Sequence, residues 1–470
     1  MSALHEIDAL LEGKKQEILQ ASDTIWEYAE LSREEIKSSE LLISILEKAG
    51  FTIERNICGV ETAFIASYGS GKPVMALLGE YDALANLSQV AGATEKCACP
   101  GQEHGSGHGC GHNLLGTACL AAALAVKDYL QQHQLPGTIR YYGCAAEEEG
   151  GVKPWMARDG YFDDCDCAFT WHPSDTTGVF NLRHYADKVF YVEFFGKSAH
   201  AAASPEMGRS ALDACELMNI GCNYLREHVV PNSRIHYAYV DAGGTAYNIV
   251  QSHCVMKYGV RSMYIKDAEE ITERVKDVAR GAALMTGTRV EFKPLMGYSD
   301  CFQNAACAQI LNEAMEEAGG PQWDDADYAA AAAYLKTYDP SMLDKLADVI
   351  KGRYPKDQWQ EKKAYPLDTQ VTAFDPTRLQ AVSAGSTDVG DVGYVTPTAQ
   401  FVMATRTLAT PAHSWYQTSA GGSTIGHKAV LAAARVLALA CVKALEQPEQ
   451  LEKARAEWLE TTGGEYHCPM

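Results

Sequence analysis

Apolar residues recur every three or four positions through residues 6–31 and again through 38–49, where Gly50 stops the pattern, so the chain is expected to open with two amphipathic helices. The rhythm then changes. Short, almost uninterrupted apolar runs at 62–66, 74–78, 138–143 and 168–171 alternate with helical stretches such as 114–130. That alternation predicts buried strands of an α/β sheet flanked by helices. In open sheets of this kind, ligands gather at the carboxyl ends of the strands. Each of these strand ends carries donors: Glu80 and Asp82 after the run ending at Leu78, Glu147, Glu148 and Glu149 after the run ending at Cys144, and His172 after Trp171.

The middle of the chain has a different order. Strand 189–195, helix 208–228, strands 235–241 and 254–261, helix 267–285 and strand 289–294 give a β-α-β-β-α-β sequence, expected to form a ferredoxin-like sandwich inserted as a unit. The predicted organisation is therefore a catalytic domain in two parts, 1–186 and 298–470, around an inserted domain at 187–297. Beyond it, a helix at 307–318 leads to an acidic, alanine-rich stretch at 321–366 with several Tyr and Trp, read as a helical insertion near the cleft entrance. Residues 385–391 form a polar loop, Thr410-Pro411-Ala412-His413-Ser414-Trp415 supplies a histidine, and Ser423 is placed to cap a long helix that contains His427.

Composition narrows the class. A chain of 470 residues exceeds one ordinary core, and 47% apolar residues exclude disorder. Lys and Arg number 40 against 61 Asp and Glu, a net charge of −21 that would repel nucleic acid or an anionic membrane. With no apolar run long enough to span a bilayer and a polar, acidic beginning, the protein is expected in the cytoplasm. The 15 cysteines follow no disulfide framework and are expected to be reduced; Cys97-x-Cys99 lacks the second pair of a zinc ribbon.

The chemistry concentrates at Gly107-His108-Gly109-Cys110-Gly111-His112-Asn113, where a thiol and an imidazole stand two residues apart in a glycine-rich loop before a helix. Those donors suit a metal, although the same tripeptide also fits an incidental loop. Carboxylates grouped at the end of a buried strand need a cation to hold them together, which strengthens the metal reading. In the middle segment His200 and Asn248 lie in polar loops, where a turn or cap role is the simpler reading of either alone.

Taken together, Gly-His-Gly-Cys-Gly-His-Asn-Leu-Leu-Gly at 107–116, Thr170-Trp171-His172-Pro173, Gly208-Arg209-Ser210-Ala211-Leu212-Asp213-Ala214, Tyr247-Asn248-Ile249-Val250 and Ala412-His413-Ser414-Trp415 resemble the co-catalytic dinuclear metallopeptidases that include aminoacylase, carboxypeptidase G and dipeptidase, and within them the amidohydrolase subfamily. The likeness spans almost the whole chain. It implies a zinc-peptidase-like domain with a central mixed sheet, the inserted sandwich acting as lid and dimerisation domain, and two divalent ions, zinc or manganese, per subunit. By the same resemblance Cys110, His112, Glu148, His172 and His413 would ligate them, with Cys110 bridging where other branches carry an aspartate. Glu147 would be the general base and Asp82 would orient a ligand, while Glu80 stands where related branches have a histidine. His200 would reach across a dimer interface to stabilise the oxyanion, aided by Asn248, and Arg261 would meet a substrate carboxylate, with Arg209 and Arg406 as competitors. The implied reaction is cleavage of the amide of an N-acyl or N-aroyl amino acid, such as p-aminobenzoyl-glutamate or a similar conjugate. The alternatives are a dipeptidase or aminopeptidase on the same site and a non-catalytic member of a hetero-oligomer. The expected partners are thus a small acylated amino acid, a second copy of the chain and, in the heteromeric alternative, a different chain.

Overall fold

The computed structural model describes residues 2–379 and 381–470 and divides into two compact units. The larger comprises 1–181, 303–379 and 392–466; the smaller comprises 182–302, 380–391 and 467–470. The boundaries expected from sequence leave 380–391 and 467–470 with the larger domain. These segments instead pack with the smaller unit because their partners lie there: Val382 and Ser383 pair in parallel with Arg183 and His184, and Lys188 donates to the Pro469 carbonyl.

An eight-stranded mixed sheet runs through the larger unit in the order Thr52–Arg55, Phe64–Ser70, Gly137–Gly143, Val74–Gly79, Cys167–Ser174, Thr398–Ala404, Thr177–Val179, Val371–Thr372. Its four central strands are mutually parallel, and Val74–Gly79 is buried at every position, which explains why that run reads as continuously apolar. The antiparallel edges are less clear in the sequence; Phe64–Ser70 extends beyond the 62–66 run because its last residues are polar and exposed.

Helix His112–His133 is buried along nearly its whole circumference and packs against helices Ala3–Tyr28 and Thr424–Glu446. Small side chains permit this. Gly116 in its first turns lies so close to the sheet that a Cβ there would stand 2.5 Å from the Glu80 carbonyl oxygen. That contact seats the helix start directly on the strand end bearing Glu80. Ser423 does cap the last long helix, accepting from the Ile425 N–H, and His427 pairs with Asp23 at 2.6 Å, a structural role.

In the smaller unit, strands Ala186–Phe195, Arg234–Asp241, His253–Ser262 and Arg289–Tyr298 form an antiparallel sheet. Arg289–Tyr298 and His253–Ser262 flank Ala186–Phe195, and Arg234–Asp241 takes the edge. Helices Ala211–Leu225 and Ile265–Thr286 cover one face over a core that includes Val192, Phe194, Met218, Met256 and Val275. The first of these helices starts three residues later than the periodicity suggests, after Ser210, whose side chain accepts from the Asp213 N–H.

Candidate metal centre

Five chain segments deliver the donors of the larger unit. The Gly107–Gly111 loop turns into helix His112–His133 through Gly111 at φ +88°, a left-handed conformation in which a Cβ would meet Gln417 Nε2 at 2.7 Å and Pro173 at 3.0 Å. His112 is thus the first residue of the helix and not part of the loop. Glu80 and Asp82 follow strand Val74–Gly79 and Glu147 and Glu148 follow Gly137–Gly143, whereas His172 lies inside strand Cys167–Ser174, near its end, and not after it as the sequence pattern suggests. His413 arrives from the loop after Thr398–Ala404, at φ +52°, with its N–H bonded to the Gly109 carbonyl at 2.9 Å.

These side chains converge into three donor groups, each with its ligand atoms within 4.8 Å of one another: Cys110, His112 and His172; Cys110, Glu148 and His413; Glu80, His112 and Glu147. All five residues expected as ligands fall in the first two, and Cys110 belongs to both. Its Sγ lies 3.3 Å from His172 Nε2, while His413 Nε2 is 3.4 Å from Glu148 Oε1.

The surrounding hydrogen bonds fix the rings. Asp82 Oδ1 holds His112 Nδ1 at 2.8 Å, and its Oδ2 accepts from Ser32 Oγ at 2.8 Å and the Glu148 N–H at 2.9 Å. One buried carboxylate therefore orients an imidazole and the backbone of a second donor. His172 Nδ1 faces the Pro173 carbonyl at 2.9 Å, which leaves Nε2 turned toward Cys110. By contrast His108 bonds its Nε2 to the Ile25 carbonyl at 2.9 Å, and burial pushes it down to about 4, so it is a neutral core residue.

The donor chemistry fits divalent cations. His112 Nε2 and Glu148 Oε1 are buried without a hydrogen-bond partner, although Glu80 Oε2 lies 3.3 Å from that nitrogen outside bonding geometry. Polar atoms so placed are costly unless something occupies the space between them. Burial pushes the Cys110 thiol up to about 12 and raises the Glu148 carboxyl, and His172 is lowered to about 4, again by burial. Neutral imidazole is the ligating form, and a cation favours the thiolate and carboxylate that burial disfavours.

Two residues that sequence reasoning passed over belong to this environment. Lys153 is fully buried, with its ammonium 2.7 Å from Glu80 Oε1. Burial opposes the charge on Glu80, but Lys153 and then His112 hold its carboxyl below the usual range. Glu35 accepts from the Ala146 N–H at 2.7 Å and from Thr62 Oγ1 at 2.9 Å, bracing the turn before Glu147, where Ala146 has φ +60°. A lysine followed by proline at a helix start carries no sequence signal for such a place.

The remaining candidates lie in the smaller unit, with one exception. His200 Nδ1 accepts from the Ala202 and Ala203 N–H groups, both at 3.1 Å, and the Ala201 N–H bonds to the Asn248 carbonyl at 2.9 Å, so the His200 and Asn248 loops are neighbours. Arg261 pairs with the buried Asp187 at 2.9 Å and also donates to the Ala384 carbonyl. Arg209 donates to the Glu206 and Gly208 carbonyls in the same unit. The exception is Arg406, buried in the larger unit, which donates to Gln417 Oε1 at 2.8 Å and to the Pro173 carbonyl at 3.4 Å.

Residues 76–351 match the Peptidase family M20/M25/M40. The chain is 41% identical over 470 residues to one of the p-aminobenzoyl-glutamate hydrolase subunits of Escherichia coli (strain K12), covering 99% of this chain and 96% of that protein. It belongs to this peptidase family and is a metal-dependent hydrolase of amide bonds. A second relative, the Xaa-Arg dipeptidase of Mus musculus, is 31% identical over 285 residues, 58% of this chain and 61% of that one. Among solved structures, the aminobenzoyl-glutamate utilization protein from Klebsiella pneumoniae superposes with a TM-score of 0.61 at 19% identity, covering 94% of this chain and 98% of that chain, and so shares the fold.

Proposed function

We propose that the protein hydrolyses the amide of an N-aroyl or N-acyl amino acid, with p-aminobenzoyl-glutamate or a similar conjugate as substrate, with the help of two divalent ions that Cys110 and its neighbours would hold. The observation that carries the ligand assignment is the membership of Cys110 in both donor groups. The full-length likeness to a p-aminobenzoyl-glutamate hydrolase component supports the substrate class. Cys110, His112 and His172 would hold one ion and Cys110, Glu148 and His413 the other; thiolate with imidazole favours zinc, and carboxylate also accepts manganese. Ions held there supply positive charge that polarises the amide carbonyl and acidifies water.

The chain's own residues carry the proton. Glu147 faces His112 Nε2 at 3.9 Å and keeps its side chain 12% exposed, so it is largely buried yet open to water. It takes a proton from the attacking water and delivers it to the leaving nitrogen. His200 and Asn248 are read as oxyanion donors, supplied by a second copy of the chain. Arg261 is the assigned partner of a substrate carboxylate, a role in which it would share its charge with Asp187.

Apolar exposure supports dimerisation through the smaller unit: Ile220 and Tyr224 on helix Ala211–Leu225 and Val240 on the edge strand Arg234–Asp241 all face solvent. The bacterial relative is itself one component of a hydrolase, which also fits a hetero-oligomer with a different chain. No helix among the described residues is long and apolar enough to cross a membrane. A cytoplasmic location, where thiols stay reduced, suits a chain whose cysteines follow no disulfide framework.

The likeness to an Xaa-Arg dipeptidase supports a second reading, cleavage of dipeptides on the same site. A panel of N-aroyl amino acids and their free-amine dipeptide counterparts, assayed with zinc and with manganese, separates the two. We expect p-aminobenzoyl-glutamate to be cleaved fastest, and a preference for free-amine dipeptides would overturn the first reading. Mixing inactive Glu147→Gln with inactive His200→Ala protein is expected to restore activity, because one site of each mixed dimer combines an intact Glu147 with an intact His200. No recovery despite demonstrated exchange of protomers would remove His200 from a role in trans.

A further inference from the structure

The inserted helices Asp325–Leu335, Pro340–Arg353 and Trp359–Ala364 supply none of the metal donors, yet they pack on the segment that ends in His413. Tyr338, Leu346 and Ile350 share a buried apolar cluster with Leu408, Ala409 and Tyr416. Hydroxyl groups add direction. Tyr338 donates to the Leu408 carbonyl at 2.7 Å and sits 2.8 Å from Thr407 Oγ1; Thr337 Oγ1 lies 2.9 Å from the Tyr416 hydroxyl; Tyr334 meets Ser419 Oγ at 2.8 Å.

The segment so gripped is strained. Ala409 and His413 both adopt left-handed backbone, at φ +68° and +52°, a conformation that non-glycine residues hold only where their surroundings over-determine it. His413 is also the most exposed of the five expected ligands, with 55% of its side chain open, so little packing on the ring itself fixes its direction. The backbone must do so. Its supports are the Gly109 carbonyl, Asp175 Oδ2 on the Ala409 N–H at 2.8 Å, and the insertion.

The insertion is in turn anchored at both ends. Asp327 is tied to Thr424 Oγ1 and to Lys428, both on the last long helix. Arg353 pairs with the buried Asp368 and donates to the Thr177 carbonyl at the sheet's edge. A platform fixed to a helix and to the sheet transmits rigidity to whatever rests on it.

We propose that the insertion serves as a rigid jaw for the His413 loop and that Tyr338 is a positioning residue: its hydroxyl, through Leu408 and Thr407, holds the backbone that presents His413 to Glu148 and Cys110. The proposal rests on His413 being a ligand. In the full-length protein titrated with zinc or manganese, Tyr338→Phe is expected to weaken one of the two ions about 10–100-fold, as loss of an outer support commonly does, and to leave the other unchanged. Amide hydrogen exchange over residues 405–413 should speed up in the same variant. Ser341→Ala, which removes an exposed contact to Asp339 inside the insertion, is expected to keep both ions. His413→Ala must lose the ion that Tyr338→Phe weakens. If His413→Ala binds both ions normally, the ligand assignment fails. If it loses one while Tyr338→Phe keeps wild-type affinity for both and normal exchange, or loses both together, the jaw is overturned. Should Tyr338→Phe not fold, Thr337→Val removes the contact to Tyr416 and is read by the same criteria.

Discussion

Replacing Cys110 with alanine is expected to strip metal and activity together. The thiol is the one side chain common to the Cys110–His112–His172 and Cys110–Glu148–His413 donor groups, and beside it Asp82 is engaged with His112, Ser32 and Glu148, and Glu80 with Lys153. Loss of a shared ligand should cost more than the roughly 10–100-fold seen when only an outer hydrogen-bond partner is removed. Metal content of the purified variant, measured by mass spectrometry beside turnover, checks this. Full occupancy with normal turnover in Cys110→Ala would sink the bridging assignment. Cys110→Asp, which restores an anionic oxygen able to bridge, is expected to recover much of the bound metal.

Glu147→Gln should do the opposite. The variant keeps the shape of the side chain and its place beside His112, so both ions are expected to remain, while turnover falls by roughly a hundredfold or more because the proposed proton carrier is gone. The two carboxylates are adjacent in sequence yet face different partners, Glu148 toward His413 and Glu147 toward His112. Departure of the ions from Glu147→Gln would show that the roles of the two residues are exchanged.

Much of the larger unit was legible because parallel, doubly covered strands leave an unambiguous signal: Val74–Gly79 is buried at every position, and the residues just beyond such strands hold the donors. The Cys-Gly-His motif was visible as chemistry, but its geometry was not, since only the left-handed Gly111 and its contacts with Pro173 and Gln417 explain why His112 begins a helix. Lys153 and Glu35 escaped notice for a physical reason. A lysine reads as surface, and nothing local reveals that Glu80, 73 positions earlier, will neutralise it in the interior. The outer limits of the smaller unit were misjudged for a similar cause, because two-residue strands such as Val382–Ser383 are too short to carry a pattern.

The burial of helix His112–His133 between the helices Ala3–Tyr28 and Thr424–Glu446 has a bearing on biosynthesis. Its alanine- and leucine-rich surface emerges early, but one covering partner comes from the far end of the chain. At about 5–20 residues per second, a ribosome adds that partner roughly 15 s to a minute after the central helix appears. Throughout that interval a sticky helix and a half-built cluster of thiol and imidazole donors are exposed, and strand Thr398–Ala404 has yet to slot between Cys167–Ser174 and Thr177–Val179. Nascent chains are therefore expected to need a holding chaperone. His413 emerges late as well, so the ion proposed to sit between Cys110, Glu148 and His413 is expected to load only once the chain is nearly complete.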